Sequence, residues 1–315
     1  MDVDLSLELG TATPRPLTLR NPVMSAAGTF GYGVEYARLL PLDRMGAVVT
    51  KSTTLRPRSG APMPRWMETP SGMLNAIGLN NPGLDRVLRT YAPKWEGLGA
   101  PIIVSIAGES VEEYAEVAAS LEETESVAAL ELNISCPNVH QGGVLFGQDP
   151  RQAAAVTGAV RAVSTLPLVL KLTPNVGGIA DVAVAVETAG ADAVCLVNTF
   201  SGLVIDTSTR RPALGYGRGG LSGPAIRALA LELVWEVAQV VSVPVIGLGG
   251  ITRADDALQF IMAGASAVQV GSATFARPTT VVEVAEGLAQ WMGRNGVSAL
   301  SEIRGCALAS REPSL

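Results

Sequence analysis

The sequence predicts an α/β fold, a closed (β/α)8 TIM barrel, on three observations. Eight short apolar runs alternate with segments of helical period, the pattern of a parallel sheet. Six of the eight runs stop at a hydrogen-bonding residue or a glycine pair. One helix-to-strand corner occurs twice at the same spacing, as Ala189-Gly190-Ala191-Asp192-Ala193-Val194 and as Ala263-Gly264-Ala265-Ser266-Ala267-Val268. An open doubly wound sheet is the alternative, but no Gly-x-Gly-x-x-Gly follows the first apolar run. A single domain over residues 1–315 is expected, since such barrels exceed the usual domain length.

In chain order, the strands are expected at 22–26, 47–51, 102–106, 128–133, 168–172, 193–197, 245–248 and 267–270. Helices are expected at 111–123, 151–164, 179–189, 224–240, 254–263 and 280–292. Two long irregular segments, 52–81 and 136–149, follow strands. Both therefore belong on the C-terminal face of the barrel, where barrel enzymes keep their sites.

Composition narrows the function. The 315 residues are 48% hydrophobic and 17% charged with 34 glycines, which excludes disorder and suits buried parallel strands. A net charge of −6 argues against nucleic-acid or anionic-membrane surfaces. Three scattered cysteines and one histidine cannot build a four-cysteine cluster or a histidine-rich zinc site, so no metal is expected. Sparse cysteines and the acidic Met1-Asp2-Val3-Asp4 point to the cytoplasm. The charge-free run 257–276 is split by Gly264-Ala265-Ser266 and reads as core, not as a membrane span.

Of 23 basic residues only Lys51, Lys94 and Lys171 are lysines. Lys51 and Lys171 each end an apolar run, where a compact ammonium does what the guanidinium fork cannot. Asn133 and Asn198-Thr199 end two more runs. Gly249-Gly250 and Gly271-Ser272 end the last two, the usual phosphate cradle of these barrels. Cys136 falls at a strand end before Pro137, under a glycine-containing loop. Cys195 is expected to face outward, by parity with Asn198. Cys306 and the loop residue His140 carry no role. Amides at Asn75, Asn133, Asn138 and Asn198 suit a flat heterocycle with alternating C=O and N–H groups.

These residues sit in runs that resemble the class 1 dihydroorotate dehydrogenases: Asn21-Pro22-Val23-Met24, Lys51-Ser52-Thr53-Thr54, 72–79, 131–138, Lys171-Leu172-Thr173-Pro174-Asn175, Asn198-Thr199, 219–224 and 263–271. Pro57-Arg58-Ser59-Gly60, 73–79 and 205–212 look like the 1B subclass. The resemblance covers nearly the whole chain. It implies a barrel holding FMN and oxidising (S)-dihydroorotate to orotate in pyrimidine synthesis. Cys136 would be the base taking the C5 proton. Lys51, Asn75, Ala76, Ile77, Gly78, Leu79, Asn133, Asn138, Asn198 and Thr199 would hold the substrate. Lys171 would contact the flavin's pyrimidine edge, where charge develops on reduction. Ala27, Lys51, Ser52, Ser105, Asn133, Val197 and Gly223 would line the flavin, with Gly249, Gly250, Gly271 and Ser272 around its phosphate. The family commonly has Ser at the Ala27 position and Asn at the Ser105 position. The 1B resemblance also implies a partner subunit carrying FAD and [2Fe–2S] that passes electrons to NAD, around a homodimeric core of a heterotetramer. Dihydrouracil oxidation, a Schiff-base lysine lyase and a non-catalytic binding subunit are the competing readings.

Overall fold

The structure, a computed structural model, describes residues 3–135 and 146–308. Eight parallel strands form the central sheet: β1 (Val23–Ser25), β2 (Val48–Val49), β3 (Ile102–Ile106), β4 (Ala129–Asn133), β5 (Leu168–Lys171), β6 (Ala193–Leu196), β7 (Val245–Leu248) and β8 (Ala267–Val270). Neighbours run in chain order from β2 to β8, and β8 pairs with β1. A parallel bridge between Met24 and Ala47 closes the ring, with Gly46 N donating to Val23 O at 2.8 Å. All eight strands lie where the apolar runs predict them.

Period-two alternation divides the core. Outward positions such as Val48, Val104, Leu130, Leu170, Val194 and Val268 pack beneath the helices. Inward positions are smaller: Ala47, Val49, Ala129, Val169, Ala193, Ile246 and Ala267 fill the barrel. An antiparallel hairpin, Leu7–Leu9 with Leu17–Leu19, adds Leu9, Leu17 and Leu19 to that inner cluster. Gly10 beside Pro167 puts it at the N-terminal end of the strands, so it plugs the barrel floor.

The helices begin where their caps dictate. Ser110 Oγ accepts from Glu113 N ahead of Val111–Glu122, with Glu112 and Glu113 in the first turn. Asp149 Oδ1 accepts from Arg151 N at 2.8 Å, and Pro150 opens the helix that runs to Arg161. The expected helix at 224–240 is a 3-10 turn, Pro224–Ile226, followed by Arg227–Val237. No helix among the described residues is long and apolar enough to cross a membrane.

Two expectations need correcting. Segment 52–81 is not wholly irregular: Trp66–Thr69 and Gly72–Asn75 join Gly219–Ser222 and Phe200–Gly202 in a four-stranded antiparallel sheet. Its partners are far apart in the chain, and Gly219-Gly220 hides the strand signal. Cys195 faces inward, packed in the barrel cluster beside Val169 and Ile246. Asn198 lies beyond the end of β6, so its parity says nothing about the strand.

Candidate active site

The C-terminal mouth is where inward-facing positions turn polar. Along β3, β4, β5 and β8 the next inward residues after the apolar layer are Ser105, Glu131 with Asn133, Lys171 and Gln269. None is more than 9% exposed. Polar groups in so dry a place must be bonded to one another, and they are. Ser52 Oγ and Ser105 Oγ lie 2.9 Å apart, and Asn133 Nδ2 donates to Ser52 Oγ at 3.1 Å. Asn198 Nδ2 reaches Asn133 Oδ1 at 3.4 Å, and Asn198 Oδ1 accepts from Thr199 N at 2.8 Å. Ser105 is thus bonded through its hydroxyl.

Beneath this girdle Lys171 Nζ stands 3.5 Å from Glu131 Oε1 and 3.4 Å from Gln269 Oε1. Gln269 Nε2 donates to Glu131 Oε2 at 2.6 Å. Burial pushes the Cys195 thiol well above its usual range; Lys171 opposes this and Glu131 adds to it. Cys195 is therefore held as a neutral thiol and can serve neither as base nor as nucleophile.

Lys51 follows β2 with its amide donating to Gly31 O at 2.7 Å. Gly28 lies beside its ammonium, close enough that a Cβ there would sit 3.9 Å from Nζ. Ala27 packs beside the inner cluster. The antiparallel sheet carries Asn75 to the same rim. Asn75 Nδ2 donates to Gly220 O at 3.3 Å, and Thr199 presses on Gly220 so closely that a Cβ there would meet its hydroxyl at 2.0 Å. Ala76, Ile77, Gly78 and Leu79 run on from this strand along residues 60–65, with Ala76 N bonded to Arg65 O and Ala61 N to Ile77 O. Among the described residues their backbone bonds tie them to that segment.

The last two strand ends make a cradle. Val197 N donates to Leu248 O at 2.8 Å, which brings the end of β6 against Gly249. Gly250 has φ +70°, and a Cβ on it would meet Gly223 O at 2.8 Å. The two loops therefore approach backbone to backbone. Asp256, fully buried, accepts from Thr252 N (2.9 Å), Thr252 Oγ1 (2.8 Å) and the Arg227 guanidinium, and so fixes the turn after Gly250. Gly271 is different. A Cβ there would meet only Ala26 Cβ at 3.6 Å and Leu248 Cδ1 at 3.8 Å, ordinary contacts. The protein's own packing does not demand glycine at 271, so the residue is available to line a group at the mouth. Gly271 and Ser272 follow β8 beside this space. Glycines at the last two strand ends, with the buried Lys171 at the end of β5, suit a flat, anionic, phosphate-bearing group such as a flavin nucleotide.

Cys136, Asn138 and His140 lie outside the described residues. Sequence reasoning gave Glu131 and Gln269 no role. The signal was present: Glu131 shares inward parity with Asn133, and a charge inside an apolar strand requires a partner.

The chain matches the family model Dihydroorotate dehydrogenase over residues 11–292. It is 51% identical over 301 residues to the "Dihydroorotate dehydrogenase B (NAD(+)), catalytic subunit" of Trichlorobacter lovleyi, covering 96% of this chain and 97% of that one. Proteins of the same name are 48% identical in Desulforamulus reducens (98% and 99% covered) and 49% identical in Bacillus pumilus (92% and 93% covered).

Proposed function

The chain belongs to the dihydroorotate dehydrogenase family, and from that premise we propose that it oxidises (S)-dihydroorotate to orotate in pyrimidine synthesis, with NAD as final electron acceptor. The observation that carries this reading is the single buried ammonium of Lys171 beneath a ring of amides and hydroxyls at the barrel mouth. The family is flavin-dependent; FMN is the flavin proposed here, and bound at the mouth it would accept the two electrons of the oxidation.

The chain's own residues divide the remaining work. Lys51 and the amides of Asn75, Asn133, Asn138 and Asn198, with Thr199, bind the substrate carboxylate and its imide edge, with 76–79 covering it. Cys136 removes the C5 proton; a thiolate somewhat below its ordinary pKa of about 8.5 is a serviceable base near neutrality. Lys171 places fixed positive charge where negative charge develops. Ala27, Ser52, Ser105, Val197 and Gly223 line the flavin, and Gly249, Gly250, Gly271 and Ser272 hold its phosphate. The whole of 1–315 serves as one FMN-binding domain.

The relatives' names call them catalytic subunits, which supports a partner subunit here. We assign that partner the FAD and [2Fe–2S] that three dispersed cysteines cannot hold, with a homodimer of this chain at the centre of a cytoplasmic heterotetramer. A Schiff-base role for Lys171 is disfavoured, because the chain belongs to a family of dehydrogenases. Anaerobic assays with dihydroorotate and with dihydrouracil test the reading. Oxidation of dihydroorotate alone is expected; preference for dihydrouracil would overturn it.

A further inference from the structure

An ammonium in the dry interior of a barrel is an expensive arrangement. Without a counter-ion such a group sheds its proton. Lys171 is 4% exposed, and Ala129, Val169, Ala193, Ile246 and Ala267 make up the inner layer around it. Three groups face it, two from the neighbouring strands and one from across the barrel. Glu131 on β4 is fully buried, Cys195 on β6 is a neutral thiol, and Gln269 on β8 is an amide. Glu131 is thus the one full negative charge among them. Its Oε1 accepts no hydrogen bond among the described residues, and its tie there is the ion pair with Lys171 Nζ at 3.5 Å.

Gln269 gives the pair its direction. Its amino group donates to Glu131 Oε2 at 2.6 Å while its carbonyl faces Lys171 Nζ at 3.4 Å. The opposite amide orientation would set carbonyl against carboxylate and amino group against ammonium. Both contacts to Nζ are longer than the roughly 2.7–2.9 Å of a tight charge-assisted bond. The ammonium is therefore held without being consumed, and keeps donor capacity for a group above it.

We propose that Glu131 is a positioning residue that keeps Lys171 a charged ammonium inside the barrel, with Gln269 aligning the pair. The consequence for the flavin rests on the function proposed above; the pairing itself does not.

The chain's three lysines make the test direct. Labelling with 13C-lysine gives three Cε signals, and Lys171→Met assigns the one that matters. In the protein as purified, at neutral pH, the wild-type Lys171 signal is expected at the ammonium position. In Glu131→Gln it is expected to move to the free-amine position. The exchange variant Glu131→Gln/Gln269→Glu keeps composition and volume, puts the carboxylate on the other side of Nζ, and should return the signal to the ammonium position. This variant decides the matter if Glu131→Gln alone does not fold. A second readout is the midpoint potential of bound FMN. Loss of the ammonium lowers it, so Glu131→Gln should fall toward Lys171→Met and should add nothing in a Lys171→Met background. Removing a negative charge that acted only through its own field would raise it. A Lys171 signal that stays at the ammonium position in Glu131→Gln, or a potential that rises, overturns the proposal. A Lys171→Met potential equal to wild type, with the Cε signal moving as expected, leaves the pairing standing and counts against the flavin reading instead.

Discussion

Replacing Lys171 by arginine separates charge from shape at the barrel mouth. The chain writes 20 of its 23 basic residues as Arg, so lysine here calls for a reason beyond charge. The structure supplies one. Nζ sits 3.5 Å from Glu131 and 3.4 Å from Gln269, in a layer where Glu131, Cys195 and Gln269 are each at most 1% exposed. A planar guanidinium is wider than that space, and overpacking of this kind costs about 1–3 kcal/mol. Lys171→Ala costs more, about 3–5 kcal/mol, because it strands the Glu131 carboxylate. For the chemistry the two variants are alike: both remove the ammonium from its position. Loss of one preorganised charge slows reaction by roughly 10²–10³. Single-turnover flavin reduction by dihydroorotate should therefore be slowed comparably in Lys171→Arg and Lys171→Ala, while urea midpoints place Ala well below Arg. An Arg variant reducing flavin within about threefold of wild type would show that charge alone matters there.

Three further outcomes follow from separate parts of the molecule. Gly271→Ala should leave stability within about 0.5 kcal/mol and weaken FMN binding tenfold or more, whereas Gly250→Ala should lose stability outright because of its φ of +70° and the Gly223 carbonyl 2.8 Å away; titrations with FMN and thermal melts of both decide it, and unchanged FMN affinity in Gly271→Ala would remove the cradle. Glu122 accepts bonds from Ser164 Oγ (2.7 Å) and Thr165 Oγ1 (2.6 Å) and pairs with Arg15, and although burial alone would raise it, these bring its carboxyl from 4.5 to about 2. A depressed folded value stabilises above the unfolded one, so this contribution is present at neutral pH and disappears as pH falls from 4.5 toward 2; at full strength it is about 3 kcal/mol, cut to about 1–2 by solvent at a side chain 22% exposed. Glu122→Gln should lose that amount at pH 7 and show a flatter acid limb in urea titrations, and an acid limb identical to wild type would refute the assignment. Cys136→Ala should abolish dihydroorotate oxidation at neutral pH with FMN still bound, and Cys136→Ser should keep a little activity that grows at high pH; near-normal turnover in the alanine variant would mean another base.

The barrel was legible because each strand is a local apolar run, and its polar end marks the C-terminal mouth. Lys51, Asn133, Lys171 and Asn198 could be found that way, and the structure brings Asn133, Lys171 and Asn198 to one mouth. The antiparallel sheet was not legible. Gly72–Asn75 pairs with Gly219–Ser222 across nearly half of the chain, and glycine-rich strands carry little β signal of their own. Glu131 and Gln269 were missed for another reason. Each looks like an isolated polar residue until the closed ring brings β8 opposite β4. Cys195 was misassigned because alternation was counted from a residue past the end of its strand.

The central claim is that this mouth holds FMN and passes to it the electrons of dihydroorotate. The most direct measurement is the visible spectrum of the purified protein before and after anaerobic addition of (S)-dihydroorotate. The account predicts a yellow protein with one FMN per chain, bleached as orotate forms. A colourless protein that takes up no FMN, or a bound flavin that dihydroorotate leaves oxidised, would contradict it.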